Sequence, residues 1–209
     1  NILFHVDAAQ SLGKIHIDVK KMNIDLLSVS AHKIYGPKGA GALYVNNSCF
    51  SKMYPLMFGG NQERNLRPGT IPTPLIVGFG EACKIAGSIM DKESKKILKL
   101  RELLLKKISA NIKDIIINGD LKNRLSGNLN IAFPSLRGQS IINSMPRIAI
   151  SSGSACTSSS PKPSHVLQAI GLNKVMSNSA IRIGIGRFNT KKDIEIAAEN
   201  IIRAVKLKG

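Results

Sequence analysis

The sequence contains no tryptophan, only three tyrosines and six phenylalanines in 209 residues, and few acidic side chains: 13 Asp plus Glu against 30 Lys plus Arg. So few aromatic rings leave little surface on which bases could stack. The net charge of +17 is therefore read as a solvated, lysine-rich surface, and a nucleic-acid partner is not expected. No apolar stretch is long enough to cross a bilayer and no secretory leader is recognisable, so no membrane partner is expected either. Three cysteines, Cys49, Cys83 and Cys156, are too few and of the wrong parity for a disulfide framework. These absences together predict a reducing, cytoplasmic setting. An initiating methionine is also lacking: Asn1 opens directly into an apolar run, and the expectation is the C-terminal piece of a longer protein.

What is present suffices for one large domain or two small ones, since apolar residues make up 43% of the chain. Short apolar runs at 2–6, 26–30 and 41–45 are bounded by turn residues and read as buried strands of parallel type. In open α/β sheets ligands gather at the carboxyl ends of strands, and polar residues stand there: Asp7 after the first run, Lys33 three residues beyond the second. From Thr73-Pro74, a cap followed by proline at the first helical position, a buried helix is predicted to residue 89. An amphipathic helix over 91–110 follows, with Ile97, Leu100, Leu104 and Ile108 on one face. The domain boundary is placed at residues 90–91.

Beyond that boundary the pattern predicts strands at 128–133, 147–151 and 180–185 and helices at 138–145 and 164–170. A last helix opens at Thr190 with Asp193 at the capping-box spacing. The fold class is α/β: the end of a large, mainly parallel-sheet domain over 1–90, then a small α+β domain over 91–209.

Four clusters could carry chemistry. In Ser30-Ala31-His32-Lys33 the lysine could hold an aldehyde as a Schiff base, Ser30 and His32 could donate to a phosphate, and Gly36, Pro37 and Gly39 permit close backbone approach. Asp7 and Gln10 stand at the neighbouring strand end, where a carboxylate would keep a pyridine nitrogen protonated. A lysine after a strand can equally be a solvated loop residue. The second cluster, 59–70, holds Arg64, Arg67 and Thr70 among glycines and suits a loop that contacts an anion; surface ion pairs would use the same residues.

The third, 151–161, has the composition of a flexible linker but contains a thiol, Cys156, that an exposed polar loop could present as a nucleophile. Cys49 and Cys83 lie in apolar or helical context and read as inert small hydrophobes. In the fourth, Arg182 interrupts the apolar alternation of 181–185. It needs an anion, either a substrate carboxylate gripped bidentately or a protein carboxylate.

In order along the chain, Val6-Asp7-Ala8-Ala9-Gln10, Ser30-Ala31-His32-Lys33-Ile34-Tyr35-Gly36-Pro37-Lys38-Gly39, Gln62-Glu63-Arg64, Arg67-Pro68-Gly69-Thr70 and Ser151-Ser152-Gly153-Ser154-Ala155-Cys156-Thr157-Ser158 resemble the pyridoxal-phosphate cysteine desulfurases. The nearest subgroup serves iron-sulfur cluster assembly, within the class-V aminotransferase superfamily. The resemblance covers essentially the whole chain, and the Cys156 loop is its most discriminating part. It implies a fold-type-I transferase that takes sulfur from L-cysteine, leaving L-alanine and an enzyme persulfide.

By the same resemblance, Lys33 would form the Schiff base with pyridoxal 5'-phosphate, Asp7 would pair with the pyridine nitrogen and Gln10 would hydrogen-bond the phenolic oxygen. Ser30 and His32 would hold the phosphate, and Thr70 would reach the phosphate of the other subunit, which implies a homodimer. Arg182 would bind the substrate carboxylate and Cys156 would be the nucleophile. No metal is implied; an iron-sulfur scaffold or another sulfur acceptor is the implied partner.

The chain departs from the family in three respects. Asn61 stands where glycine is usual and Pro68 where serine is usual, and the family's ring-stacking residues and Gly-Thr phosphate turn lie outside these 209 residues. A selenocysteine lyase or a class-V transaminase would share Asp7 and Lys33, but a transaminase has no use for Cys156. The remaining alternative is an inactive product of a split or decayed gene.

Overall fold

Strands β1 (His5–Asp7), β2 (Leu26–Ser30) and β3 (Gly41–Val45) form one sheet in that order. β1 and β2 run parallel, with Asp7 opposite Ser28, whereas β2 and β3 run antiparallel, with Ser30 opposite Gly41. The parallel-type reading therefore fails for β3. The reason is length: residues 31–40 hold only a short 3-10 turn and a return loop, and a parallel neighbour would need a longer crossover. Val6, Leu27 and Val29 pack with Ala8 and Ile24 on one face of the sheet. By strand alternation Asp7, Ser28 and Ser30 occupy the other.

The computed structural model describes residues 2–152 and 163–208, and the chain divides into two compact units, Asn1–Asp91 and Lys92–Gly209. Helix α1 (Thr73–Asn111) is continuous, where two helices separated near residue 90 were expected. The switch from a mostly apolar to an amphipathic pattern at Asp91 marks a change in what surrounds the helix; no proline or left-handed residue interrupts it. In the first unit Phe79, Ala82 and Ala86 of α1 pack on Ala31 and Ile34.

The second unit holds an antiparallel sheet of β4 (Ile116–Ile117), β5 (Asn128–Ala132) and β6 (Ala180–Gly184). Its core joins Leu104 and Ile108 of α1 to Leu129 and Ile131 of β5, Ile181 of β6 and Ile201 of α5 (Lys191–Lys206), all fully buried. Burying each such side chain contributes about 1.5–3 kcal/mol. The capping box at the start of α5 forms as expected: Thr190 Oγ1 accepts from the Asp193 N–H at 3.2 Å, and Asp193 Oδ2 accepts from the Thr190 N–H at 2.8 Å.

Helices α2 (Gly138–Asn143) and α3 (His165–Ala169) lie where they were expected; β4 and α4 (Lys174–Asn178) were not foreseen. The strand expected over 147–151 does not form. Only Ser151 pairs, in a single antiparallel bridge with Arg182. Among the described residues, no helix is long and apolar enough to cross a membrane.

Candidate functional site

Asp7 ends β1 and Ser30 ends β2, and because these strands are parallel neighbours both groups sit at the same carboxyl edge of the sheet. Asp7 Oδ1 accepts from the Ala9 N–H at 2.9 Å, which fixes the turn and leaves Oδ2 for another donor. His5 and Ser28, on the same face, meet at 2.7 Å between Nε2 and Oγ. Gln10 lies in the turn after β1, its Oε1 accepting from Lys14 Nζ at 3.3 Å, so its amide nitrogen can still donate.

Lys33 rides on the 3-10 turn Ala31–Ile34 that leaves β2 directly. Ala31 and Ile34 are buried in the cluster with Phe79, while His32 and Lys33 between them are exposed. Two apolar anchors thus hold the backbone and send the two basic side chains outward. Neither His32 nor Lys33 has a side-chain hydrogen bond or ion pair among the described residues, and the Ser30 hydroxyl makes no capping bond although it stands at the cap position. The turn closes through Tyr35, which adopts a left-handed backbone (φ 66°), and through the Gly36 N–H bonding to the Ala31 carbonyl at 2.9 Å. A Cβ on Gly36 would lie 3.0 Å from that carbonyl oxygen and 3.1 Å from Ala82 Cβ. Packing of the turn against α1 thus also requires glycine at Gly36.

Thr70 is exposed at the end of a loop with an unusual backbone. Glu63, Arg64 and Asn65 take left-handed φ values of 50°, 56° and 65° in succession. The loop is ordered by its own bonds, Gln62 Oε1 accepting from the Gly69 N–H and Arg67 Nη1 donating to the Gly69 carbonyl, each at 3.0 Å. The Arg64 guanidinium lies over the Phe50 ring, 4.7 Å from its centroid.

In the second unit Arg182 is half-buried on β6 and has no side-chain partner among the described residues. It lines a cavity of about 420 Å³ together with Asn118, Arg124, Asn130 and Ser152. Nothing in the sequence pointed to Arg124: a single arginine in a turn-rich loop carries no periodic or motif signal.

Of the loop 151–161, residues 153–161 lie outside the described residues, and Cys156 lies among them. The other thiols are placed. Cys49 is buried and donates to Asp25 Oδ1 at 3.4 Å; that bond and, above it, one from the Phe4 N–H hold the Asp25 carboxyl below its ordinary value. Cys83 is exposed on α1 rather than packed as a hydrophobe, and partial burial of its thiol pushes its pKa up, away from thiolate.

The model of the class-V aminotransferases matches residues 1–196. The chain belongs to that family. It is 51% identical over 206 residues to a cysteine desulfurase IscS of Ehrlichia chaffeensis, covering 98% of this chain and 50% of that protein. To a mitochondrial cysteine desulfurase of Arabidopsis thaliana it is 48% identical, covering 99% of this chain and 46% of that one. Among solved structures, a NifS-like protein superposes with a TM-score of 0.87 at 33% identity, over 98% of this chain and 53% of its own. The chain thus spans about half the length of the curated relatives it matches.

Class-V aminotransferases are fold-type-I, pyridoxal-phosphate-dependent enzymes, and the donors of this chain suit that group. An amine with no competing partner, a carboxylate with an open oxygen on the adjacent parallel strand, and a strand-end hydroxyl with no capping bond stand at one sheet edge. These are the groups that an aldehyde, a ring nitrogen and a phosphate require.

Proposed function

We propose that this chain forms the C-terminal part of a cysteine desulfurase, with residues 1–90 finishing the large cofactor domain and 91–209 making most of the small one. The carrying observation is the unpartnered, exposed Lys33 on a turn pinned by Ala31 and Ile34, beside the Asp7 and Ser30 strand ends. The cysteine desulfurase names of relatives near 50% identity support this choice among the chemistries that such a lysine serves.

Lys33 would hold the cofactor through its Nζ, Asp7 would keep the ring nitrogen protonated, Gln10 would donate to the phenolic oxygen, and Ser30 and His32 would bind the phosphate. Bound pyridoxal phosphate would supply the electron sink that makes the substrate Cα–H acidic. Lys33 Nζ, once released, would take that proton and deliver it. Arg182 would grip the substrate carboxylate. The Cys156 thiolate would accept sulfur: the Cβ–S bond of cysteine breaks, an S–S bond forms on Cys156 Sγ, and the carbon left behind takes a proton to become alanine.

Neither alternative thiol suits this role, Cys49 being buried and Cys83 held away from thiolate. The exposed apolar run Tyr54, Leu56 and Phe58, preceding the Thr70 loop, supports a homodimer in which Thr70 reaches the partner's cofactor phosphate. A sulfur acceptor such as an iron-sulfur scaffold and a cytoplasmic setting complete the reading. Incubating the cofactor-loaded protein with ³⁵S-cysteine tests it: label on Cys156, released by thiols, is expected, and unlabelled Cys156 excludes the reading.

A further inference from the structure

Helices α1 and α5 leave a groove of about 500 Å³ between their C-terminal ends, and the desulfurase reading does not use it. Its floor is apolar. Ala198 is buried and Ile202 half-buried in the core that the two helices share, and Leu207 extends the floor at the end of α5 while remaining 74% exposed. Apolar residues scattered singly over a surface need no explanation, but these line one depression. Cations stand on both sides of it, Lys107 on the α1 wall and Arg203 and Lys206 on the α5 wall. Among the described residues none of the three forms an ion pair, and Arg203 donates only to the neutral Asn200 Oδ1, at 3.1 Å.

Basic residues in the last turn of a helix complement its C-terminal carbonyls, which accounts for Arg203 and Lys206. It does not account for Lys107, a full turn before the end of α1. The one carboxylate in the lining, Glu199, stands on the α5 wall at the far end from Leu207 and forms no ion pair among the described residues either. A fatty acid carries a single anionic head and would call for cations at one end of the floor, not along both sides. An amphipathic helix whose apolar ridge is edged by carboxylates on either flank fills the floor and meets both walls at once. At 1.5 Å per residue the α5 wall from Glu199 to Leu207 is about 12 Å long, just over two turns of such a helix.

We propose that this groove docks a partner protein through a short, acidic amphipathic helix, its apolar ridge on Ala198, Ile202 and Leu207 and its carboxylates facing Lys107 on one side and Arg203 and Lys206 on the other. A cation of the partner meets Glu199 and sets the direction of the helix. Lys33, Arg182 and Cys156 take no part, so this surface and the desulfurase reading stand or fall separately.

The test titrates the full 209-residue chain into a fluorescein-labelled peptide of about 15 residues, long enough to form a helix, and follows anisotropy. The peptide carries leucines at helical i, i+3, i+4 and i+7 spacing, glutamates flanking them and one lysine near an end. Saturable binding that weakens as salt rises is expected. Lys206→Glu and Leu207→Asp, both at exposed positions that folding tolerates, should each weaken it by about tenfold or more. Lys95→Glu makes the same change of charge on α1 outside the groove and should leave binding unaltered. Absence of saturable binding, equal binding of a peptide of the same composition with its leucine spacing scrambled, or an equal loss in Lys95→Glu overturns the proposal. Oleate binding that Lys206→Glu abolishes would give the groove to a fatty acid instead and overturn it as well.

Discussion

Asp7 and Ser28 lie opposite one another in the parallel ladder of β1 and β2, so Ser30, one side-chain repeat further on, shares their face and their sheet edge. This relationship brings the carboxylate of one strand and the Lys33 turn of the next to a single edge from residues far apart in sequence. The chemistry assigned to the chain depends on that edge.

Lys33 is exposed and has no side-chain hydrogen bond or ion pair among the described residues. Lys33→Ala should therefore change stability by no more than about 0.5 kcal/mol while abolishing borohydride-trapped pyridoxyl label. Ile34→Ala should do the opposite, costing about 2–5 kcal/mol because Ile34 is 3% exposed and anchors the turn. Denaturant melts and peptide mapping read both. A reduced adduct on a lysine other than Lys33 would contradict the assignment.

Arg187 and Glu93 make a two-point ion pair, Nε to Oε1 at 2.6 Å and Nη2 to Oε2 at 3.2 Å, with side chains 17% and 12% exposed. Removing one partner leaves a largely desolvated charge, so Arg187→Met should destabilise by about 3 kcal/mol, and adding Glu93→Leu should recover part of that loss. Additive effects of the two changes in urea melts would show that the pair is not coupled.

Asp193 accepts from both the N–H and the hydroxyl of Thr190, bonds that hold its carboxyl below the ordinary value. A depressed folded-state pKa contributes stability that is complete above the unfolded value of about 3.9 and is lost as pH falls through the folded one. The Tm of the parent should thus fall more steeply below about pH 4 than that of Asp193→Asn. Parallel curves for the two proteins would remove Asp193 from the account.

The parts of this architecture legible in the sequence were those governed by local patterning. β2 and β3 end where their apolar runs end, and Thr190 with Asp193 announces α5. The direction of β3 was not legible from its residues, because a buried strand reads alike in either orientation and only the shortness of 31–40 decides it. Residues 147–151 look like a strand, yet only Ser151 finds a partner, so tertiary pairing overrode the pattern. Asp7, Ser30 and Lys33 could be found because polar groups end apolar runs. Arg124 could not, since only the three-dimensional neighbourhood places it in the cavity wall with Arg182.

If Arg182 grips a substrate carboxylate, Arg182→Ala in the cofactor-loaded protein should cost about 2–5 kcal/mol of cysteine binding while cofactor absorbance stays unchanged. Equal cysteine affinity in mutant and parent would return Arg182 to a structural role.

The most direct test of the central claim compares ³⁵S transfer from cysteine in the cofactor-loaded parent and in Cys156→Ser. The account predicts label on Cys156 and on neither Cys49 nor Cys83 in the parent. In the variant it predicts substrate binding with no sulfur transfer, because a hydroxyl is a far weaker nucleophile than a thiolate. Undiminished sulfur transfer by Cys156→Ser would contradict it.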